Sequence, residues 1–431
     1  MLKVFLRGYV GLVCITAALS LLLIPVWYRL PSASPPFSRH YFTGFTLFIP
    51  LCFTVILTWR TLFKNPTMII LLPLWALMSY EWAFMRPNGY PQLAQNAAAQ
   101  MAFAVLFALG VRRISPLFIL SVLVIGMLLH GSIGGLQIAQ QSSLGLPGEF
   151  YLDPQLPRIS VIQSADTRWL RPYGLASHPN VFAGYIAVGL LASYAWILSE
   201  NRCLKWLGLL VFSFGLWILL LTFSRGAWLG FVMGAVFITW RWRKNHYVWV
   251  AFTSALILGI CFILLYYHLL LPRLGASTEA IEQRSIDDRS ILIDAALDAI
   301  QHNLLLGVGA GNFDWYAAYY FFDLGLDRKG ENVHNVYLLV QAELGFVGLA
   351  IFLSFLFYSV RKCIQTPDKF RYICGSGGIA LAVIALVDHY PFTLLHFQTL
   401  WFSLLIISSV PIIDLTPHKK DETPCVLNPV S

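Results

Sequence analysis

The chain has 431 residues, of which 58% are hydrophobic and only 12% charged, with a formal net charge of +8. Soluble domains carry about twice that share of charge, so the composition excludes an ordinary globular enzyme. Its seven cysteines all fall in apolar runs or beside basic inner segments, so no disulfide framework is expected, and none forms a CxxC pair that would suggest a metal site.

Apolar runs of about 17–25 residues recur along the chain, each long enough to cross a bilayer as a helix. They predict an all-α fold, a polytopic membrane protein with about 12 transmembrane helices. The expected spans lie near 8–28, 41–59, 66–85, 94–111, 115–131, 180–199, 205–223, 226–240, 247–271, 334–360, 372–390 and 395–413. The first run follows Lys3 and Arg7 as a signal peptide would. Its length, and the lack of a small-x-small exit, predict a retained span.

Charge sets the orientation. With both termini inside, the inner segments carry Lys3/Arg7, Arg60/Lys64, Arg112/Arg113, Arg202/Lys205, Arg241/Arg243/Lys244, Arg361/Lys362/Lys369/Arg371 and Lys419/Lys420. Every short inner loop is then basic, as the positive-inside rule requires. The basic balance reports topology, and no nucleic-acid partner is expected. This divides the chain into transmembrane helices over 1–131, a periplasmic loop over 132–179 and helices over 180–271. A large periplasmic loop with short helices follows over 272–333, then helices over 334–413 and a cytoplasmic tail over 414–431.

The first outer loop begins at Gly131-Ser132-Ile133-Gly134-Gly135 and ends with Arg171-Pro172-Tyr173-Gly174, then His178-Pro179-Asn180. Pro179 keeps His178 out of helical geometry, and Asn180 can cap the span that follows. His178 is either a turn residue at that boundary or a substrate contact. Arg171, always charged, is the stronger ligand candidate. Between the next two spans, Ser224-Arg225-Gly226 sets an arginine between two small residues. It either snorkels to the surface or faces a polar cavity, where the small neighbours leave backbone amides open to a bulky ligand.

In the large loop, Ser285-Ile286-Asp287-Asp288 has a capping pattern that predicts a helix from there to about His302. At helical spacing Asp287, Asp294 and Asp298 share one face, and Arg289 falls among Ile286, Leu292, Ile293, Ala296, Leu297 and Ile300 on the other. A buried arginine needs an anionic partner. Glu343, Asp388 and a substrate phosphate all qualify. Gly307-Val308-Gly309-Ala310-Gly311 follows a helix rather than a strand, so a dinucleotide site is excluded and a hinge or close-approach role is expected. His334-Asn335 opens the next span, where helix amides attract anions and disfavour a second proton on the imidazole. Glu343 lies within that span, a placement that marks an ionisable group as functional.

These pieces, in this order between spans, resemble the bacterial O-antigen ligase/polymerase superfamily. The likeness runs over about 170–400 and rests on Arg171-Pro172-Tyr173-Gly174, His178-Pro179-Asn180 and Ser224-Arg225-Gly226-Ala227. It continues through Arg289, Asn303, Gly307 to Phe313, His334-Asn335-Val336-Tyr337-Leu338, Glu343-Leu344-Gly345 and Gly348. Asp294 and Leu304 depart from the tryptophan and proline common in such proteins.

The resemblance implies a glycosyltransferase of the inner membrane with its site facing the periplasm, using neither metal nor other cofactor. Its donor would be an undecaprenyl-pyrophosphate-linked glycan, and its acceptor a glycolipid, a glycan or a protein, with membrane lipids around both. Arg225 and Arg289 would neutralise the donor diphosphate and His334 would activate or orient the acceptor hydroxyl. Arg171, His178, Asn180, Ser224, Asn335 and Glu343 are the expected substrate contacts. A ligase acting on lipid A-core is expected first, with an O-antigen or exopolysaccharide polymerase or a protein O-oligosaccharyltransferase as alternatives. A transporter or flippase, the rival from another class, would place its charges near the bilayer midplane rather than at the outer boundary.

Overall fold

The computed structural model describes residues 68–85, 92–112, 114–157, 159–164, 167–271 and 280–409. The first two expected spans and the tail over 414–431 lie outside the described residues. In chain order the helices begin with α1 (Met68–Met78), a 3-10 turn (Ser79–Trp82), α2 (Gln92–Val111) and α3 (Pro116–Gln140). An antiparallel hairpin follows, β1 (Val161–Ser164) with β2 (Thr167–Leu170), in the register Val161 to Leu170. Next come α4 (Pro179–Ala192), α5 (Tyr194–Ile197), α6 (Arg202–Leu221), α7 (Arg225–Arg241) and α8 (His246–Leu271). The chain continues through α9 (Ala280–His302), α10 (Phe313–Asp323), α11 (Val336–Gln365), α12 (Lys369–Ile384), α13 (Tyr390–Thr393) and α14 (Leu395–Ser409).

Among the described residues, six helices are long and apolar enough to cross a membrane: α2, α3, α4 continuing into α5, α6, α8 and α11. The protein is a multi-pass membrane protein. Its spans differ in what surrounds them. The α4–α5 segment is 94% buried inside the protein, whereas α8 is only 17% buried. A helix apolar on all sides is stable in either setting, so composition does not separate the two. Helix α4 is the hub, packed against α3, α6, α7 and α12. Helix α7 lies against α12, where Gly230 and Gly234 face the Ala380 and Ser376 carbonyls with no room for a side chain. Small residues of this kind let helix backbones approach where no water drives association.

Four expectations about elements are corrected. The segment expected as a loop from Gly131 stays helical to Gln140, because Gly134 lets α3 pack closely on Phe182 of α4. The fold is not purely α. Val161-Ile162-Gln163-Ser164 and Thr167-Arg168-Trp169-Leu170 pair as antiparallel strands, and Gln141 Oε1 ties them to the end of α3 by accepting from Leu170 N at 2.8 Å. The span expected over 66–85 is α-helical only to Met78 and tightens to a 3-10 turn through Trp82. In that turn Ser79 bonds back to the Ala76 carbonyl at 2.7 Å and accepts from Ala310 N at 2.9 Å. Helix α9 begins by Ala280, so Ser285 lies inside it rather than capping it.

The glycine-rich stretch explains the break after Met78. Gly307, Gly309 and Gly311 all have positive φ, and the loop inserts its backbone between α11 and the turn after α1. Val308 N donates to the Ala342 carbonyl at 2.8 Å and Gly309 N to the Glu343 carbonyl at 2.9 Å. Phe84 N donates to the Val308 carbonyl at 2.8 Å and Trp82 Nε1 to the Leu306 carbonyl at 3.0 Å. Helix α11 opens to receive the loop at Gly345, whose φ of 66° and ψ of −171° belong to glycine alone. Phe346 N donates to the Leu304 carbonyl at 2.9 Å, and Trp75 Nε1 takes the Leu344 carbonyl at 2.9 Å. The expected close-approach role is a clasp. It anchors the α9–α10 region to the spans.

Candidate functional site

A cavity of about 940 Å³ opens between the hairpin, α9 and the starts of α4 and α7, with His334 and the α12–α13 connection completing it. Its lining includes Arg168, Arg171, Arg225, Arg289, His178, Asn180, Ser224, Glu331, His334 and Asp388. Seven of the nine residues expected from sequence therefore converge on one space from four separate stretches of chain. Asn335 and Glu343 do not line it.

Arg225 is the first residue of α7, and the chain reaches it through Phe223, whose φ of 50° turns the backbone sharply. Ser224 is the N-cap residue in extended conformation, and its hydroxyl makes no capping bond. The positive end of the α7 dipole thus meets the cavity beside an exposed guanidinium, a pairing suited to phosphate oxygens. Arg289 is half-buried on the packed face of α9, in line with buried Leu292, Ala296 and Ala299. The apolar stripe is rotated from the expected one, since Ile293 and Leu297 are exposed. Neither Glu343 nor Asp388 forms an ion pair with Arg289 within 4 Å; its neighbour Asp288 is taken by Arg328 at 2.6 Å.

Arg171 has a different part. It is 2% exposed, and its Nε donates to the Thr222 carbonyl at 2.7 Å, Nη1 to Ser160 Oγ at 2.9 Å and Nη2 to Asn180 Oδ1 at 2.7 Å. Asn180 Nδ2 in turn donates to Asp388 Oδ2 at 3.0 Å, and Asp388 Oδ1 accepts the His389 amide at 2.9 Å. This chain of bonds runs from the hairpin to the histidines and fixes the Asp388 carboxylate. His178 caps α4, its Nδ1 accepting from Asn180 N at 3.1 Å, and presents its ring to the cavity.

His334 sits just before the N-cap of α11, with its ring at 5.2 Å from that of His389. Its Nδ1 is buried without a hydrogen-bond partner. Burial lowers its pKa to about 4, with His389 and Arg289 adding to the effect and Asp388 opposing it. Burial lowers the His389 pKa as well. The neutral imidazole expected at a helix entrance is present, but loss of solvent is the main cause. Asn335 caps α11: its Oδ1 accepts from Tyr337 N at 2.9 Å and Leu338 N at 3.0 Å, and its amide donates to the Leu386 carbonyl at 3.1 Å. Glu343 is buried beneath the glycine clasp, where its Oε1 faces Phe313 N at 3.4 Å.

Ring nitrogens of His334 and His389 and a carboxylate oxygen of Asp388 lie within 4.8 Å of one another, a grouping with metal-ligand chemistry. Two features oppose a divalent ion there. Arg289 already adds positive charge close enough to disfavour protonation of both rings, and both Asp388 oxygens already accept hydrogen bonds. Sequence reasoning passed over Arg168 and gave Asp388 and His389 no catalytic part. Arg168 Nη1 donates to the Gln155 carbonyl at 3.2 Å and its Nε is buried without a partner. An arginine in the strand Thr167-Arg168-Trp169-Leu170 was the available signal, visible only once the hairpin is known.

Residues 210–353 match the family model described as O-antigen ligase. That stretch runs from within α6 into α11 and carries Arg225, Arg289, His334 and the glycine clasp. No curated protein matches the chain.

Proposed function

We propose that this multi-pass membrane protein is a glycosyltransferase that moves a glycan from undecaprenyl pyrophosphate to an acceptor hydroxyl, a reading supported by the match of residues 210–353 to the family model described as O-antigen ligase. The reaction takes place on the periplasmic face, with lipid A-core as the acceptor. The observation that carries the reading is the meeting of Arg225, Arg289 and His334, from three distant segments, in one cavity. The orientation rests on charge: α7 runs from the cavity at Arg225 to the basic cluster Arg241, Arg243 and Lys244, which belongs inside.

The residues divide the chemistry between them. Arg225, with the α7 amides, and Arg289 take the donor diphosphate. As the bond from the anomeric carbon to the diphosphate oxygen breaks, its electron pair goes to that oxygen, and fixed guanidinium groups stabilise the growing charge. The acceptor oxygen forms the new bond to the anomeric carbon and releases its proton to neutral His334. A histidine held neutral is available as a base at physiological pH. Asp388, fixed through Asn180 and Arg171, stabilises the imidazolium once formed. The bound diphosphate strengthens the base further, because its charge offsets that of Arg289. No metal is required in this scheme.

The test uses purified protein in vesicles with a polyprenyl-pyrophosphate glycan and a lipid A-core acceptor. Arg225→Ala, Arg289→Ala and His334→Ala should each abolish transfer. Wild-type rates in all three would remove the site. If the intact protein extends lipid-linked repeats but leaves lipid A-core unmodified, the polymerase reading replaces the ligase.

A further inference from the structure

Behind the histidines lies a second, smaller cavity of about 150 Å³, lined by Gln100, Asp314, Asn332, Glu343, Thr393 and Gln398 among others. Its position within the helices makes this polar lining costly unless the groups are satisfied. Gln398 is fully buried, yet neither its Oε1 nor its Nε2 has a protein partner. Leaving every bond of a buried amide unmade is costly, so native proteins fill such sites with water. At ~30 Å³ per molecule the space takes on the order of five waters. Half-buried Asp314 and Asn332 frame one side, and Thr393 forms part of the other.

Thr393 connects this chamber to the site. Its hydroxyl donates to the His389 carbonyl at 3.2 Å, so the 2.8 Å contact between Thr393 Oγ1 and His389 Nδ1 has the ring nitrogen as donor. His389 is then a Nδ1–H tautomer, and its Nε2 is left to accept a proton. The two histidines and Asp388 lie within 4.8 Å, a span that one water bridges.

Resting on the glycosyltransferase reading above, we propose that the chamber is the proton outlet of the reaction. The proton that His334 takes from the acceptor hydroxyl passes through His389 and Thr393 to the waters held by Gln398 and Glu343, then past Asp314 to solvent. The relay balances: His389 Nε2 gains a proton as Nδ1 releases one to Thr393 Oγ1, whose hydroxyl turns from the His389 carbonyl and gives its own proton to a chamber water. No bond to carbon changes in these steps. The need for an outlet follows from the site itself. In that reading donor and acceptor both bind in the large cavity that His334 lines, and so shield the ring from bulk water. The departing diphosphate, held by two guanidinium groups, is a weakened proton acceptor.

Thr393→Val and Gln398→Leu break the relay and dry the chamber with little change in volume. Each should lower kcat about tenfold, the scale of a modest proton-transfer defect. KM for donor and acceptor should stay unchanged, and the solvent deuterium isotope effect on kcat should rise. Thr393→Ser, which keeps the hydroxyl, should restore both. Wild-type kcat and isotope effect in Thr393→Val and Gln398→Leu would overturn the proposal. So would a loss matched by a lower melting temperature in detergent and not rescued by Thr393→Ser, because that marks a packing role. His334→Ala in the same assay separates the two readings. If it remains active, the proposed function fails; if it is dead while Thr393→Val is unaffected, only the outlet fails.

Discussion

Arg289 shows how one side chain's surroundings define its role. Ion pairs hold Arg328 on Asp288, and hydrogen bonds commit Arg171 to Thr222, Ser160 and Asn180, but the Arg289 guanidinium enters no ion pair within 4 Å among the described residues. A half-buried cation in that state is poised for an anion from outside. Arg289→Ala should therefore lower kcat by about 100-fold or more, as loss of one charge-stabilising donor does elsewhere, with thermal stability little changed. Arg289→Lys should recover little, since a point charge does not reproduce the planar fork. Melting curves beside transfer rates check the split; parallel loss of both would point to a structural arginine. His334 gives a second prediction with a definite sign. Its pKa, lowered by burial to about 4, keeps the ring neutral in the free enzyme throughout the usual pH range. An activity that needs the neutral base is fully present above that value and lost only as pH falls through it. The dependence of acceptor kcat/KM on pH should accordingly show no His334 inflection between about pH 5.5 and 7.5, because kcat/KM reports the free enzyme. An inflection near the ordinary histidine value would contradict this environment for the ring.

At the scale of elements, the clasp decides how the α9–α10 region is tied to the spans. Gly345 combines a backbone conformation closed to other residues with direct contact to the Leu305 backbone. Gly345→Ala should cost at least about 1–3 kcal/mol and lower the melting temperature in detergent. Gly259→Ala in the lipid-facing α8, where an added methyl meets nothing within 4 Å, should be neutral or mildly stabilising. Equal effects in the two would show that the clasp contributes nothing beyond helix propensity. The same contrast marks what was readable from sequence. Span periodicity is local, so α2, α6, α7, α8 and α11 fall within a few residues of expectation. The break after Met78 is not local: residues more than 220 positions away hold it, the Val308 carbonyl accepting from Phe84 N and Ala310 N donating to the Ser79 hydroxyl. Glu343 misled for the same reason. An intramembrane carboxylate signals function, but only the fold shows that it faces the small chamber and not the large cavity. The link from Arg171 through Asn180 to Asp388 was equally hidden, since it joins residues 208 positions apart.

For the whole molecule, burial and charge make two independent statements about how the chain sits in a bilayer. The hub α4–α5 is enclosed by protein while α8 faces outward, so lipid surrounds a perimeter and the cavity opens at one end of the bundle. At the opposite end of α7 the chain presents Trp240, Arg241, Trp242, Arg243 and Lys244, with Arg243 over the Trp240 ring at 5.3 Å and Arg241 over the Trp242 ring at 5.6 Å. Interleaved aromatic and basic side chains of this kind belong at a cytoplasmic interface, where the ring sits among headgroups and the cation meets anionic lipid. If that end is inside, the cavity faces outward, where a translocated lipid-linked glycan is found. Accessibility tests this directly. In a background with all seven native cysteines replaced by serine, Gln155→Cys at the cavity and Asn245→Cys at the basic end give single reporters. A membrane-impermeant maleimide should label Gln155→Cys in spheroplasts and reach Asn245→Cys only after permeabilisation. The reverse pattern would invert the topology and, with it, the side on which Arg225, Arg289 and His334 meet their substrates.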